Sequence, residues 1–456
     1  MDRRGFVKNT GLLAMMFNLP IDKQTEPFMK TIRVVHTGAE FEREKLNGPF
    51  GFKGGYLSEL WQAVSKLKSA SGESAIGIAT QSILYADADL FVDNTETGGN
   101  ALMFVLVNEA LKLVKETPFQ HPVELMEKIM PALQKAAVRV TGKKDLNQNF
   151  IYNALVSIDN AAWLLYAKEN GFTSFDAMVP TPYRRALQHH NKRIAIMYQV
   201  PYDMPMSNLV NAMKEGYFVI KIKTGFPGSQ EVMLERDMER LTQIHQTLKD
   251  YRTPHTPNGK LIYTMDANGR YEKKSLLIKY LDHAKKIGAF DQVLVYEEPF
   301  VESNNEHVGD LGIRIAADES VHVVADAEKR IAQGYSALVL KGIAKTLSQS
   351  MKIATFAQEK NIPCLCADLT VNPVLVEWHK NLAARIAPFP VIGMGLMETN
   401  GDLNYENWEK MIAYQQLAGA SWMQRKKGIF ELDEDFYNTS GGIFGVPRHY
   451  EEMFIS

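Results

Sequence analysis

A closed parallel (β/α) barrel preceded by a separate α+β domain is the fold this sequence predicts. Two observations carry the prediction: after Arg193 eight short apolar runs alternate with helical segments, and charged residues recur at the ends of those runs. The region before Arg193 has a different, mixed pattern, so it reads as a domain of its own.

In chain order, residues 1–29 read as an extension, 30–185 as an α+β capping domain, 186–415 as the barrel, and 416–456 as a segment packing back on the capping domain. Within the capping domain, strands are expected at Thr31 to Val35 and Ser74 to Ile78, then helices over Ala101 to Lys115 and Pro122 to Ala137. The stretch NGPFGFKGGY, residues 47 to 56, holds four glycines and one proline and reads as a mobile loop rather than a regular element. As a lid it would bring Phe50, Phe52 or Lys53 over a bound molecule; as a plain hairpin it would not.

The eight barrel strands are RIAIMYQV, YFVIKIK, LIYTMD, VLVYE, IRIAA, ALVLK, IPCLC and VIGMGL. Helical periodicity fills Met233 to Leu248, Lys274 to Lys286, Ala325 to Gln333, Leu347 to Glu359 and Asn372 to Arg385. Eight βα units close naturally into a TIM-like barrel, whose active sites lie at the carboxyl ends of the strands. Strand side chains alternate with period two, so Phe218, Ile220 and Ile222 share one face and Val219, Lys221 and Lys223 the other. The apolar face packs on the helices, which turns both lysines inward. From Phe430 on, the chain reads as loop-like.

Charge then follows the strand ends. Lys221 and Lys223 lie on the second strand, Asp266 closes the third, Glu297 the fourth, Asp318 follows the fifth and Lys341 the sixth. One carboxylate at a strand end is an ordinary loop residue, whereas charges in register on five successive strand ends are not. Three carboxylates with no histidine or thiolate beside them favour a hard cation, Mg²⁺ first and Mn²⁺ second. Glu297 and Glu298 are neighbours of opposite parity, so only one of them can reach such a cation.

The bulk numbers narrow the partners. The 456 residues carry a net charge of −2, which gives no electrostatic footprint for nucleic acid or an anionic membrane. A small molecule is the expected partner, and a homo-oligomer the expected assembly. The only cysteines, Cys364 and Cys366, stand two apart on a predicted strand and make no disulfide framework. The start, with Arg3-Arg4 before Gly5, Phe6, Val7 and Lys8, resembles a twin-arginine export signal and so points to the periplasm; an amphipathic extension on a cytoplasmic protein is the alternative.

Together these residues resemble the enolase superfamily, in the mandelate racemase and muconate lactonizing enzyme family, with some likeness to dipeptide epimerases. The resemblance implies Asp266, Glu297 and Asp318 as metal ligands, Asn268 and Glu319 behind them, and Lys223 and Lys341 as acid and base on opposite faces of the substrate. Lys221 would lie near the substrate carboxylate, and close cationic neighbours with the metal would lower a lysine's pKa. Asp368, Glu398 and Asn400 fall where the family places specificity residues, with Phe50 and Lys53 from the lid. Dipeptide epimerases hold the substrate ammonium with Asp-x-Asp; Glu398-x-Asn400 keeps one of those charges. The resemblance implies a carboxylate substrate losing its α-proton in a racemase or epimerase, with a dehydratase or cycloisomerase sharing the same enolate. A barrel that only binds its ligand is the reading from another class. His189, His190 and His379 are expected to be structural, His379 as a packing or surface residue.

Overall fold

The computed structural model describes residues 29–53 and 55–455. The twin-arginine-like start lies outside the described residues. The chain opens with a three-stranded antiparallel sheet, β1 (Val34–Phe52), β2 (Gly55–Ser69) and β3 (Ser74–Gln81), in the order β1-β2-β3. Helices α1 (Ile83–Ala86), α2 (Ala88–Glu116), α3 (Pro122–Thr141) and α4 (Gln148–Asn170) follow.

The segment expected to be a loop at residues 47–56 is instead the end of the β1–β2 hairpin, with Phe50 paired to Leu57 and Phe52 to Gly55. The glycines and Pro49 express themselves as a register break between Lys45 and Phe50, not as loss of the strands. β2 is unusual in another way. Leu57, Leu60, Trp61, Val64 and Leu67 have the spacing of a helix face, yet the segment is the central strand of the sheet. Pairing on both edges and burial of both faces override the periodicity, and Gln62 and Ser65 are buried with the apolar residues.

α4 is apolar on almost every side because it lies between this sheet and the barrel, and Trp163 is fully buried on it. It bonds to the barrel through Trp163 Nε1, 3.1 Å from Ser348 Oγ, and through Asp159, which accepts the Ser348 backbone N–H at 3.0 Å. Sheet and helix approach most closely at Gly77, where an added Cβ would stand 2.1 Å from the Ser157 carbonyl oxygen and 2.2 Å from Ala161 N. Gly77→Ala is therefore expected to cost about 3 kcal/mol or more of stability, measurable by urea unfolding, since neither backbone can withdraw.

The eight barrel strands are β4 (Arg193–Val200), β5 (Val219–Lys223), β6 (Ile262–Asp266), β7 (Val293–Glu297), β8 (Ile315–Ala317), β9 (Ala337–Leu340), β10 (Cys364–Cys366) and β11 (Gly395–Glu398). All neighbours are parallel, and β11 pairs back to β4, closing the barrel. The helices between them, such as Gln230–Leu248 and Leu347–Glu359, match the expected periodic segments closely.

The end of the chain is less loop-like than expected. β12 (Arg425–Lys426) and β13 (Ile429–Glu431) form a hairpin that adds antiparallel to the start of β4, and short helices cover Glu434–Thr439 and Arg448–Glu452. This segment touches both halves of the molecule: His449 Nε2 lies 2.8 Å from Glu42 on β1, while Ser440 takes the Asn381 side-chain amide at 2.8 Å. That cover explains why every residue of the barrel helix Pro373–Arg385 is buried, His379 included. Among the described residues no helix is long and apolar enough to cross a membrane.

Candidate active site

Each charged residue stands at the carboxyl end of a barrel strand because the register puts it there. Lys223 pairs with Asp266 across β5 and β6, and Asp266 with Glu297 across β6 and β7. Asp318 and Lys341 are the first residues beyond β8 and β9. Asp266, Glu297 and Asp318 are all at most 1 % exposed.

Lysines hold these carboxylates. Lys221 Nζ lies 3.0 Å from Asp266, 2.9 Å from Glu297 and 2.9 Å from Glu398. Lys223 Nζ donates to Asp266 Oδ2 at 2.6 Å and to Asn268 Oδ1 at 3.0 Å. Lys341 Nζ donates to Asp318 Oδ2 at 2.5 Å. Lys345, a residue the strand-end pattern did not single out, donates to the other oxygen of Asp318 at 3.2 Å and to the Val321 carbonyl at 3.0 Å. Its signal in the sequence was only a second lysine four residues after Lys341, at the end of a short helix, Gly342–Lys345.

Electrostatics follow from this pairing. Burial opposes the Asp266 charge, but Lys221 and Lys223 outweigh it and hold the carboxyl down at about 2. Asp318 is lowered in the same way by Lys341 and Lys345 against its burial. Burial likewise opposes the charge of Lys341, yet Asp318 keeps the ammonium well above the ordinary lysine range. The expected downward shift by cationic neighbours is thus reversed, because the nearest charges are anionic.

Glu298 takes a left-handed φ of 36°, costly for a residue with a Cβ. Its carboxylate accepts the Asp318 N–H at 2.7 Å and the Ser320 hydroxyl at 3.0 Å, so it fixes the end of β8 while Glu297 faces Lys221. Burial and Glu319 push Glu298 up to about 7. Asn268 links the two sides, passing its amide N–H to Glu319 at 2.9 Å.

Above the strand ends is a cavity between the barrel and the first domain. Its floor includes Lys221, Lys223, Asp266, Asn268, Glu319 and Lys341, and its far wall Asp368, Glu398 and Asn400. Phe50, Leu57, Leu60, Ser82 and Tyr85 roof it from the first domain. Lys341 Nζ lies 4.6 Å from the Tyr85 ring centre. Phe50 is therefore brought to the site, while Lys53 is not: it donates to the Tyr85 carbonyl at 3.1 Å and lines a neighbouring cleft. The sequence did not single out Leu57, Leu60, Leu369 and Thr370, nor three lining residues that bear more on the chemistry, Gln199, Ser82 and Tyr85. A polar residue inside the apolar run RIAIMYQV could have flagged Gln199; nothing local marks the other two.

Among the described residues no three His, Cys, Asp or Glu side chains form a ready metal cage, since lysines stand between the carboxylates. The donor chemistry nevertheless fits a divalent cation. Asp266, Glu297, Glu298, Asp318, Glu319, Asp368 and Glu398 are buried against four buried lysines and Arg330, leaving two carboxylates without a compensating charge. The excess is visible in Glu297, raised well above the carboxylate range by burial and Asp266, and in the unpartnered Glu298 Oε1 and Glu319 Oε2.

His379 is a packing residue, fully buried, with Nε2 at 2.9 Å from the Ala367 carbonyl and its pKa lowered by burial to about 4. His190 is on Asp176 at 3.3 Å, away from the cavity.

Residues 206–412 match the family described as enolase C-terminal domain-like. That match lies over the barrel. No curated protein sequence matches the chain. A mandelate racemase/muconate lactonizing protein from Herpetosiphon aurantiacus has the same fold at 15 % identity and TM-score 0.62, covering 88 % of this chain and 96 % of that one. A dipeptide epimerase from Enterococcus faecalis V583, complexed with Mg and L-Leu-L-Tyr, follows at 14 % identity and TM-score 0.60, over 89 % and 98 %. An L-talarate dehydratase from Polaromonas sp. JS666, complexed with Mg and L-glucarate, has 16 % identity and TM-score 0.56, over 83 % and 88 %. The chain therefore shares with these proteins one architecture, a closed barrel with an N-terminal capping domain, and a single fold of this kind can carry several reactions.

Proposed function

We propose that this protein is a Mg²⁺-dependent racemase or epimerase acting on the α-carbon of a small carboxylate. The observation that carries the reading is two buried lysines on opposite sides of one carboxylate cluster, both lining the same cavity: Lys223 on Asp266 and Lys341 on Asp318. Asp266, Glu297 and Asp318 would hold the cation. Bound there, Mg²⁺ supplies positive charge for the two negative charges that gather on the substrate carboxylate as its α-proton leaves.

The remaining steps belong to the chain. With a cation held by Asp266 and Asp318, these carboxylates would hold the protons of Lys223 and Lys341 less strongly, and one lysine could act as base and the other as acid. Lys221 stays against Glu297 and Glu398 to receive the substrate carboxylate. One lysine removes the proton and the other returns one to the opposite face. The roof of Phe50, Leu57 and Leu60 keeps water from the carbanion-like intermediate.

The test is proton NMR in D₂O with Mg²⁺ over dipeptides, N-acylamino acids and acid sugars. Loss of the α-proton signal with appearance of the other stereoisomer is expected. Exchange accompanied by a vinylic or enol product would replace racemisation by elimination or cycloisomerisation, and a protein that binds these acids without exchange would leave no catalyst.

A further inference from the structure

The two lysines that flank the carboxylates are seated differently. Lys223 Nζ rests on two oxygens of the barrel, Asp266 Oδ2 at 2.6 Å and Asn268 Oδ1 at 3.0 Å. Among the described residues Lys341 Nζ makes one hydrogen bond, to Asp318 Oδ2 at 2.5 Å, and its other contact is the face of Tyr85, 4.6 Å from the ring centre. Lys341 is 5 % exposed and Tyr85 1 %. An ammonium has three N–H groups to place, and here only one of them meets an oxygen. An aromatic face attracts such a cation through the ring quadrupole, most strongly where water is excluded.

The capping domain holds the ring for this contact. Tyr85 lies on α1, whose start is fixed by two buried amides: Asn153 Oδ1 on α4 accepts the Ser82 N–H at 3.0 Å, and Asn100 Oδ1 on α2 accepts the Ile83 N–H at 3.0 Å. The Tyr85 carbonyl takes Lys53 Nζ from the hairpin end at 3.1 Å. Burial raises the Tyr85 phenol well above its usual range, so the ring is uncharged and meets Lys341 as a π face, not as an anion. The hydroxyl has no partner among the described residues and does nothing to orient the ring.

This difference matters once the carboxylates are engaged by a cation. Lys223 then keeps Asn268, which belongs to the barrel, whereas Lys341 keeps the Tyr85 face, which belongs to the other domain. We infer that Tyr85 is a positioning residue for Lys341: its ring seats the ammonium from the capping domain, so that proton transfer on the Lys341 face, and not on the Lys223 face, depends on that domain. The reaction in this statement rests on the two-lysine reading, and the seat rests on the contact alone.

A double-mutant cycle tests the seat without any substrate. Tyr85→Leu, Lys341→Met and the two together are unfolded in urea, free of metal. The double variant is expected to lose less than the sum of the single losses, because the contact can be removed only once. Asp318 retains Lys345 at 3.2 Å in Lys341→Met, so the fold should survive. Additive losses would overturn the seat. Deuterium incorporation with Mg²⁺ then tests the direction of the effect, on both isomers of the dipeptides, N-acylamino acids and acid sugars of the D₂O screen. Lys341→Ala marks the isomer whose proton faces Lys341, since its exchange is the one lost. Tyr85→Leu should slow exchange of that isomer about tenfold or more relative to the other. Tyr85→Phe, which keeps the ring, should leave the ratio at the wild-type value. Equal slowing of both isomers in Tyr85→Leu, as a merely structural role would give, or a Tyr85→Phe ratio matching that of Tyr85→Leu, would each overturn the inference. Non-additivity in the cycle with no exchange in any of these acids would instead overturn the two-lysine reading and leave the seat standing.

Discussion

Lys223→Ala and Lys341→Ala are each expected to abolish interconversion of stereoisomers, with kcat/KM falling about 10²- to 10⁴-fold. The structure makes these variants clean. Without Lys341, Asp318 retains Lys345 at 3.2 Å; without Lys223, Asp266 retains Lys221 at 3.0 Å. Neither substitution strands a buried carboxylate, so folding should survive and circular dichroism should be unchanged. A sharper signature separates catalysis from support. Each variant should still exchange the α-proton of the one isomer whose proton faces the surviving lysine, and lose exchange of the other. Deuterium incorporation measured on each pure isomer checks this, and retained two-way turnover in either variant would end the two-base mechanism.

Glu297→Gln should lower Mg²⁺ affinity by more than about a hundredfold, since loss of groups merely supporting a ligand already costs 10- to 100-fold. Activity should vanish with it at ordinary Mg²⁺ concentrations. The metal-free protein should respond in the opposite sense. Burial and Asp266 raise the Glu297 carboxyl well above its usual range, so the folded state binds its proton more tightly than the unfolded chain does. The stability associated with that proton is present below the ordinary carboxylate value and is lost as pH rises toward the folded value. In EDTA, wild type should therefore lose melting temperature as pH is raised, and Glu297→Gln should lose less. Adding Mg²⁺ should restore wild type and leave the variant unmoved. Thermal melts over pH with and without Mg²⁺ decide it.

How far the site was legible in the sequence depended on distance along the chain. Lys223, Asp266, Glu297, Asp318 and Lys341 were legible because a parallel barrel turns one local rule, a charge after an apolar run, into one shared place. Glu398 was legible as a strand end but not as the partner of Lys221, which is 177 residues away in sequence. Lys53 carried the right local context and still points elsewhere, because the hairpin turn directs it to the Tyr85 carbonyl.

The sequence by itself determined the alternation of strands and helices, the inward face of β5 and the chemistry available at the strand ends, since these follow from periods of two and 3.6 residues and from residue type. Only the tertiary structure decided that a segment with helical spacing, Leu57 to Leu67, is a central strand. It also brought Ser82 and Tyr85 over the cavity, and linked Asn400 to Glu398 through Gln199. The reason is the same each time: pairing, burial and hydrogen-bond direction depend on neighbours far away in the chain, and no local pattern encodes them.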